Sequence, residues 1–179
     1  MVRTENDIWR VALAVIRAGL AEAHPDVTVK RVYQPTTQSQ GDDPLVTLYR
    51  IGGRKVGALG KRDRWDQEKE IMLQLETWRM ELTLQAGAIV PLATDPESYT
   101  GSDVLELLSV YLHSDPALTA FRNEGIGILA ITDLREIPLK DDKDQFSINN
   151  NFDFTLTYTQ SRIRKVPVAE SEEIQVHRV

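Results

Sequence analysis

The chain of 179 residues contains no cysteine. That excludes a disulfide scaffold and any thiolate metal site, and it fits an intracellular place of assembly. No apolar run approaches the roughly 20 residues that span a bilayer, so no membrane partner is expected. Arg3 near the start is followed by Glu5 and Asp7 and not by an uninterrupted apolar core, so no signal peptide is expected. His24, His113 and His177 stand apart, with no H-E-x-x-H spacing, and no metal site is readable from them. A G-x-S-x-G elbow is also missing.

Three loose matches to functional motifs fail on inspection. Gly60-Lys61 would need a glycine at position 55 and Ser or Thr at 62 to be a phosphate loop, and those positions hold Lys55 and Arg62. Gly125-Ile126-Gly127-Ile128-Leu129-Ala130 fits G-x-G-x-x-A, but that fingerprint needs a strand before it and a helix after it, and here the order is reversed. Asp141-Asp142-Lys143-Asp144 lacks the glycine and closing glutamate of a calcium loop and reads as a solvated turn. The sequence therefore predicts no enzyme, no catalytic residue, no cofactor and no metal.

What is present is an ordinary globular composition, 41% hydrophobic and 27% charged. It suits one domain, expected over residues 1–160, with 161–179 as an extension or arm. The net charge of −6 is uneven. Residues 1–66 hold 11 basic and 8 acidic side chains, and residues 67–179 hold 10 basic and 19 acidic. An acidic balance of this kind does not suit a simple nucleic-acid binder.

Periodicity then sets the elements. Thr4 and Asp7 have capping-box spacing ahead of Ile8, Val11, Ala12, Val15, Ile16 and Leu20, which form one helical face. His24-Pro25 is expected to end that helix. Trp9 lies off the stripe and is expected to be buried in the same domain. Val27, Val29 and Val32-Tyr33 read as a strand, as does Leu45–Ile51, with a polar loop from Pro35 to Asp43 between them. The run Arg50–Arg64 holds six basic residues against one acid, and four of the ten glycines. It reads either as a flexible hairpin or loop with a solvated basic surface, or as a basic loop that meets an acidic neighbour or passing DNA.

From Lys69 to Ala86 a long strand is predicted. Ile71, Leu73 and Leu75 have one parity and Trp78, Met80, Leu82 and Leu84 the other. The slip near Glu76-Thr77 demands either a bulge or a strand whose two halves bury opposite faces. Thr100 and Asp103 cap a second helix carrying Val104, Leu105, Leu107, Leu108, Tyr111 and Leu112. Asp115 and Pro116 are expected to start a third, closed at Gly125. Ile126–Thr132 reads as a buried strand, and Phe152, Phe154, Leu156 and Tyr158 as a half-buried antiparallel one. After Thr159 come Arg162, Arg164 and Lys165, then Glu170, Glu172, Glu173, Ile174 and Val176, which read as a tail or as an arm added to a neighbour's sheet edge. The fold class expected is α/β (α+β), a mixed, largely antiparallel sheet with helices packed on it.

Several of these strings resemble the tail-terminator or neck proteins of long-tailed bacteriophages. They are Ile89–Pro96, Ser102–Leu105, Ile126–Arg135 and Phe152–Gln160. The resemblance implies a structural virion protein, assembled in the host cytoplasm, whose subunits form a ring, probable size six, around a channel for DNA. Its implied partners are further copies of itself, the tail tube, a neck or head-completion protein, the sheath in a contractile tail, and DNA that passes without specific binding. The interface candidates are Arg50, Arg54, Lys55, Lys61, Arg62 and Arg64 in the basic run, Ile71, Leu73 and Leu75 in the long strand, and Arg162, Arg164 and Lys165 beyond it. A neck adaptor or tube-like ring protein is the near alternative, and a small α/β enzyme or ligand-binding domain the distant one.

Overall fold

The computed structural model of the chain describes residues 4–33, 43–67, 69, 71–90, 98–140 and 146–166, with backbone alone for 137–140 and 146–149. The loop from Pro35 to Asp43, most of the acidic cluster near Asp141, His177 and the acidic tail after Val166 fall wholly or mostly outside these residues.

Helix α1 spans Glu5–Leu20. Its capping box is complete: Asp7 N–H donates to Thr4 Oγ1 at 3.3 Å, and Thr4 N–H donates to Asp7 Oδ2 at 2.9 Å. Ile8, Ala12, Val15, Ile16 and Leu20 are buried on one face. Trp9 is buried as well, at 2% exposure, with its indole N–H donating to Glu5 and the Arg31 guanidinium over its ring. The helix ends four residues before the proline: Ala21 N–H bonds Arg17 O, and His24 N–H closes the following turn on Leu20 O.

A short strand β1 (Thr28–Arg31) runs parallel to β2 (Leu45–Asp66). Strand β3 (Ile71–Ile89) returns antiparallel to β2. Helix α2 (Gly101–Leu112) starts at Thr100 with a second complete capping box, closed by Asp103. Helix α3 (Asp115–Asn123) is capped at Ser114, one residue earlier than expected, with Pro116 inside its first turn. Gly125 follows it at φ +62, the left-handed backbone that a helix exit favours in glycine. Strands β4 (Ile126–Ile131) and β5 (Arg135–Lys140) both pair antiparallel with β6 (Phe146–Val166). The sheet is therefore mixed and open, in the order β1-β2-β3-β6-β4, with β5 beside β6 further along.

One face of the inner sheet carries Val46, Leu48, Leu82, Leu84, Ala86, Phe152, Phe154 and Leu156. The three helices cover it with Ile8, Ile16, Leu105, Leu108, Leu112 and Phe121, and this is the core. β4 differs from the expectation of a buried strand: only Ile126 is buried, and Leu129 is 53% exposed. The cause is its place at the edge of the sheet, where a bulge between Ile128 and Ala130 turns side chains outward. The opposite sheet face is polar. Tyr49 O–H donates to Gln85, Gln85 Nε2 donates to Asp153 at 2.7 Å, and Arg135 pairs with Asp153 at 2.6 Å.

Candidate interaction surface

Three strands are far longer than the core they serve. β2 has 22 residues, β3 19 and β6 21, where a strand in a globular domain usually has about 5 or 6. β1 covers β2 only from Leu45 to Leu48, and β4 covers β6 only as far as Tyr158. Beyond those points β2, β3 and β6 continue together as a three-stranded arm. It runs about 30 Å at ordinary strand rise, from the level of Met80 to a tip where Asp66 pairs Ile71 and Val166 pairs Met72.

The register explains why the arm has two usable faces. β3 and β6 pair without interruption from Met72↔Val166 to Ala88↔Asn150. No bulge lies in β3 at Glu76-Thr77. The irregularities sit in β2, between Arg50 and Gly52 and between Val56 and Gly60, where Gly57 takes φ +76. Parity along β3 is thus kept, and the two halves of the strand turn opposite faces apolar. Trp78, Met80, Leu82 and Leu84 lie on the core side, and Ile71, Leu73 and Leu75 lie on the other.

Every interface candidate from the sequence lies on these three strands. On the face away from the core side, Arg62 and Ile163 flank Leu75, and Arg64 and Lys165 flank Leu73. The result is an apolar spine bordered by cations on both strands, with Ile163 itself 62% exposed. On the core-side face, Lys61 and Arg162 flank Glu76, which is 8% exposed. Next to them Lys55 Nζ stands 4.9 Å from the Trp78 ring centroid, a cation–π geometry.

Two of the candidates serve the fold. Arg50 pairs with Glu5 at 2.9 Å and ties the base of β2 to α1, and Arg54 pairs with Glu81 at 2.7 Å across the hairpin. The expectation of a flexible hairpin or loop over Arg50–Arg64 is replaced by a single strand: β2 extends to Asp66, and its charges alternate across a sheet. Alternation of basic residues with Val56, Leu59 and Trp65 is the signal in the sequence, masked by its four glycines. Glu76 was not singled out by the sequence, because its flanking cations come from strands 15 and 86 residues away in the chain.

Open grooves run along the free edge of β6. One of about 540 Å³ is lined by Lys55, Trp78, Gln160, Ser161, Arg162 and Ile163. A second, of about 390 Å³, lies where β4 begins, between Arg79 and Arg122. Both are open to solvent and neither gathers a nucleophile, a base and an acid, so they suit contact with an extended chain rather than catalysis.

Two titratable side chains show how the base of the molecule is held. Burial, and then the hydrogen bond to Asp26, push the Tyr99 hydroxyl up to about 12. The Tyr99 ring also sits 4.4 Å from that of His24. Hydrogen bonds from Thr100 hold the Asp103 carboxyl below its ordinary value. The Tyr99 contacts fasten the start of α2 against the turn after α1, and the Thr100–Asp103 bonds close the helix end itself.

Residues 7–168 match the family described as E217 gateway protein gp29. No curated protein matches the chain. Among solved structures, the sheath/tube terminator of an extracellular contractile injection system, PVC, in its extended state matches with a TM-score of 0.52 and 12% identity. The alignment covers 100% of this chain and 65% of that one, so the chain spans about two thirds of the length of that structure, and at this identity the likeness is one of fold. With the matched segment running from the first helix to the end of the arm, the chain belongs to the family of the E217 gateway protein gp29.

Proposed function

We propose that the chain is the subunit of a ring that closes the end of a phage tail tube and joins it to the neck or head-completion proteins. The ring is a hexamer with a central channel through which DNA passes. Its other contact is with the sheath where the tail has one. The observation that carries this reading is the arm: three strands outrun their own core and present an apolar spine with Arg62 and Arg64 along one side and Ile163 and Lys165 along the other. A surface of that kind is expensive to leave in water and is used for association. Ring closure is a head-to-tail contact repeated until the rotation closes. The acidic balance of −6 suits a channel that repels phosphate rather than holding it.

The test is the mass of the purified protein by multi-angle light scattering, followed by negative-stain images with tail tubes added. One closed ring at one tube end, blocking further growth, supports the proposal. Stacked rings indicate a tube-like or adaptor protein. A monomer that never binds tubes overturns it.

A further inference from the structure

The free edge of β6 lacks a strand. β4 stops at Tyr158, and from Thr159 to Val166 the outer side of β6 has no strand partner among the described residues. This edge is eight residues long, in line with β4, and its charged residues are Arg162, Arg164 and Lys165, with no acid among them. The 540 Å³ groove runs beside it, with Trp78 and Ile163 as its apolar surface. Unpaired edges of this length are normally blunted or covered.

The same chain contains a segment of matching chemistry. Residues 167–179 hold three acids, Glu170, Glu172 and Glu173, against the one cation Arg178. Ile174 and Val176 follow the acids at a strand spacing of two. We propose that residues 170–176 of one copy add as a strand to the β6 edge, Thr159–Val166, of a second copy. The glutamates meet Arg162, Arg164 and Lys165, and the Ile174 and Val176 side chains reach the groove at Trp78. Main-chain hydrogen bonds supply the general affinity and the alternating side chains the specificity.

The occupant comes from another copy for two reasons. The segment departs from Val166, which pairs with Met72 at the tip of the arm. To return along its own β6 it would need a tight hairpin turn at once. Pro167-Val168-Ala169 contains none of the Gly, Asn or Asp residues that such turns require. Each copy also carries one donor segment and one acceptor edge, so a closed ring satisfies all of them and leaves none open. The inference rests on the reading of the chain as a self-associating ring subunit.

Two charge-reversed full-length variants test it. The first, Arg162→Glu, Arg164→Glu and Lys165→Glu, keeps the donor and spoils the edge. The second, Glu170→Lys, Glu172→Lys and Glu173→Lys, keeps the edge and spoils the donor. Each alone is expected to self-associate at least about tenfold more weakly than the parent in sedimentation velocity. Mixed together they are expected to regain association by alternating, because each variant's donor then meets an edge of opposite charge on the other. Circular dichroism melts show that both are folded. The same samples are read on tube ends, so a chain that associates only there is tested too.

Association unchanged in either variant overturns the proposal, as does a mixture that associates no better than either variant alone. Loss of duplex DNA retention in the first variant, with association intact, assigns the edge to DNA and also overturns it. Normal single rings on tubes from both variants leave the ring function standing and remove this joint alone. Absence of rings from the parent protein removes the ring function itself.

Discussion

Thr4 and Thr100 each close a capping box on an aspartate three residues on. The two boxes fix where α1 and α2 begin and so how the helical layer meets the sheet. Thr100→Ala is expected to lower stability by about 1 kcal/mol, the usual cost of losing such a cap, measured by urea unfolding. Asp103 adds a pH dependence of known sign. Its carboxyl is held below the ordinary value in the folded chain by Thr100. Its contribution is therefore present above the unfolded value and is lost as pH falls through the folded one. The stability difference between the parent and Asp103→Asn should shrink as the pH drops below about 4, the ordinary range for an aspartate.

Gly19 is a residue whose role was invisible in the sequence. A Cβ placed there would lie 2.3 Å from the Tyr111 ring, so α1 and α2 approach closely only because the side chain is absent. Helical spacing puts Gly19 on the apolar side of α1, four residues after Val15, but nothing local links it to a tyrosine 92 positions later. Gly19→Ala is expected to destabilise despite the better helix propensity of alanine, by about 1–3 kcal/mol as for other overpacked sites. Combined with Tyr111→Ala, the penalty should be smaller than the sum, since the second change removes the obstacle. An additive pair in a double-mutant cycle would show that the two positions do not meet.

Among elements, the helices were the most legible. Their caps, apolar faces and the glycine after α3 are local signals, and local signals survive into the fold. The long strands were half legible. The phase slip in β3 left two readings open, a bulge or two halves with opposite apolar faces, and the uninterrupted pairing with β6 selects the second. The bulges sit in β2 instead, because its glycines allow the extra residues that β3 cannot take. The same glycines made the arm half of β2 look like a loop. The arrangement of β4 and β5 on one edge of β6 was not legible, since strand order depends on pairings distant in sequence.

The two faces of β3 predict opposite outcomes for similar substitutions. Leu84 is fully buried, and Leu84→Ala is expected to cost about 2–5 kcal/mol. Leu73 is half-buried on the arm, between Arg64 and Lys165. Leu73→Ser should leave the unfolding midpoint within about 1 kcal/mol of the parent, as half-exposed positions usually do, while abolishing ring formation on tubes. A Leu73→Ser chain that loses stability as Leu84→Ala does would place that leucine in the core and remove the arm's separate role.

For the molecule as a whole, the folded arrangement separates charge that the sequence interleaves. The arm segments 50–66, 71–81 and 159–166 together hold ten basic and four acidic residues, a balance of +6. The described residues outside the arm, leaving aside Lys69 at its tip, hold seven basic and twelve acidic, a balance of −5. The division of the chain at residue 66 showed only part of this, because Arg162, Arg164 and Lys165 join the arm through β6 from the acidic half. A subunit with a basic limb and an acidic body favours limb-to-body contacts between copies and disfavours limb-to-limb ones. That preference selects head-to-tail association, which is the kind that closes a ring.

Screening falls to a distance of about 8 Å at physiological ionic strength and about 3 Å at 1 M salt. If the charge separation orients the contact, assembly should slow and weaken steeply as salt is raised, with the change mostly in the association rate. The apolar spine of Ile71, Leu73 and Leu75 responds in the other direction, since excluded salts such as sulfate strengthen apolar burial. Light scattering in a chloride series and in a sulfate series at matched ionic strength separates the two contributions. Loss of rings in both series assigns the joint to charge. Rings that fail in chloride and persist in sulfate show that the cations bring the copies together and the spine holds them.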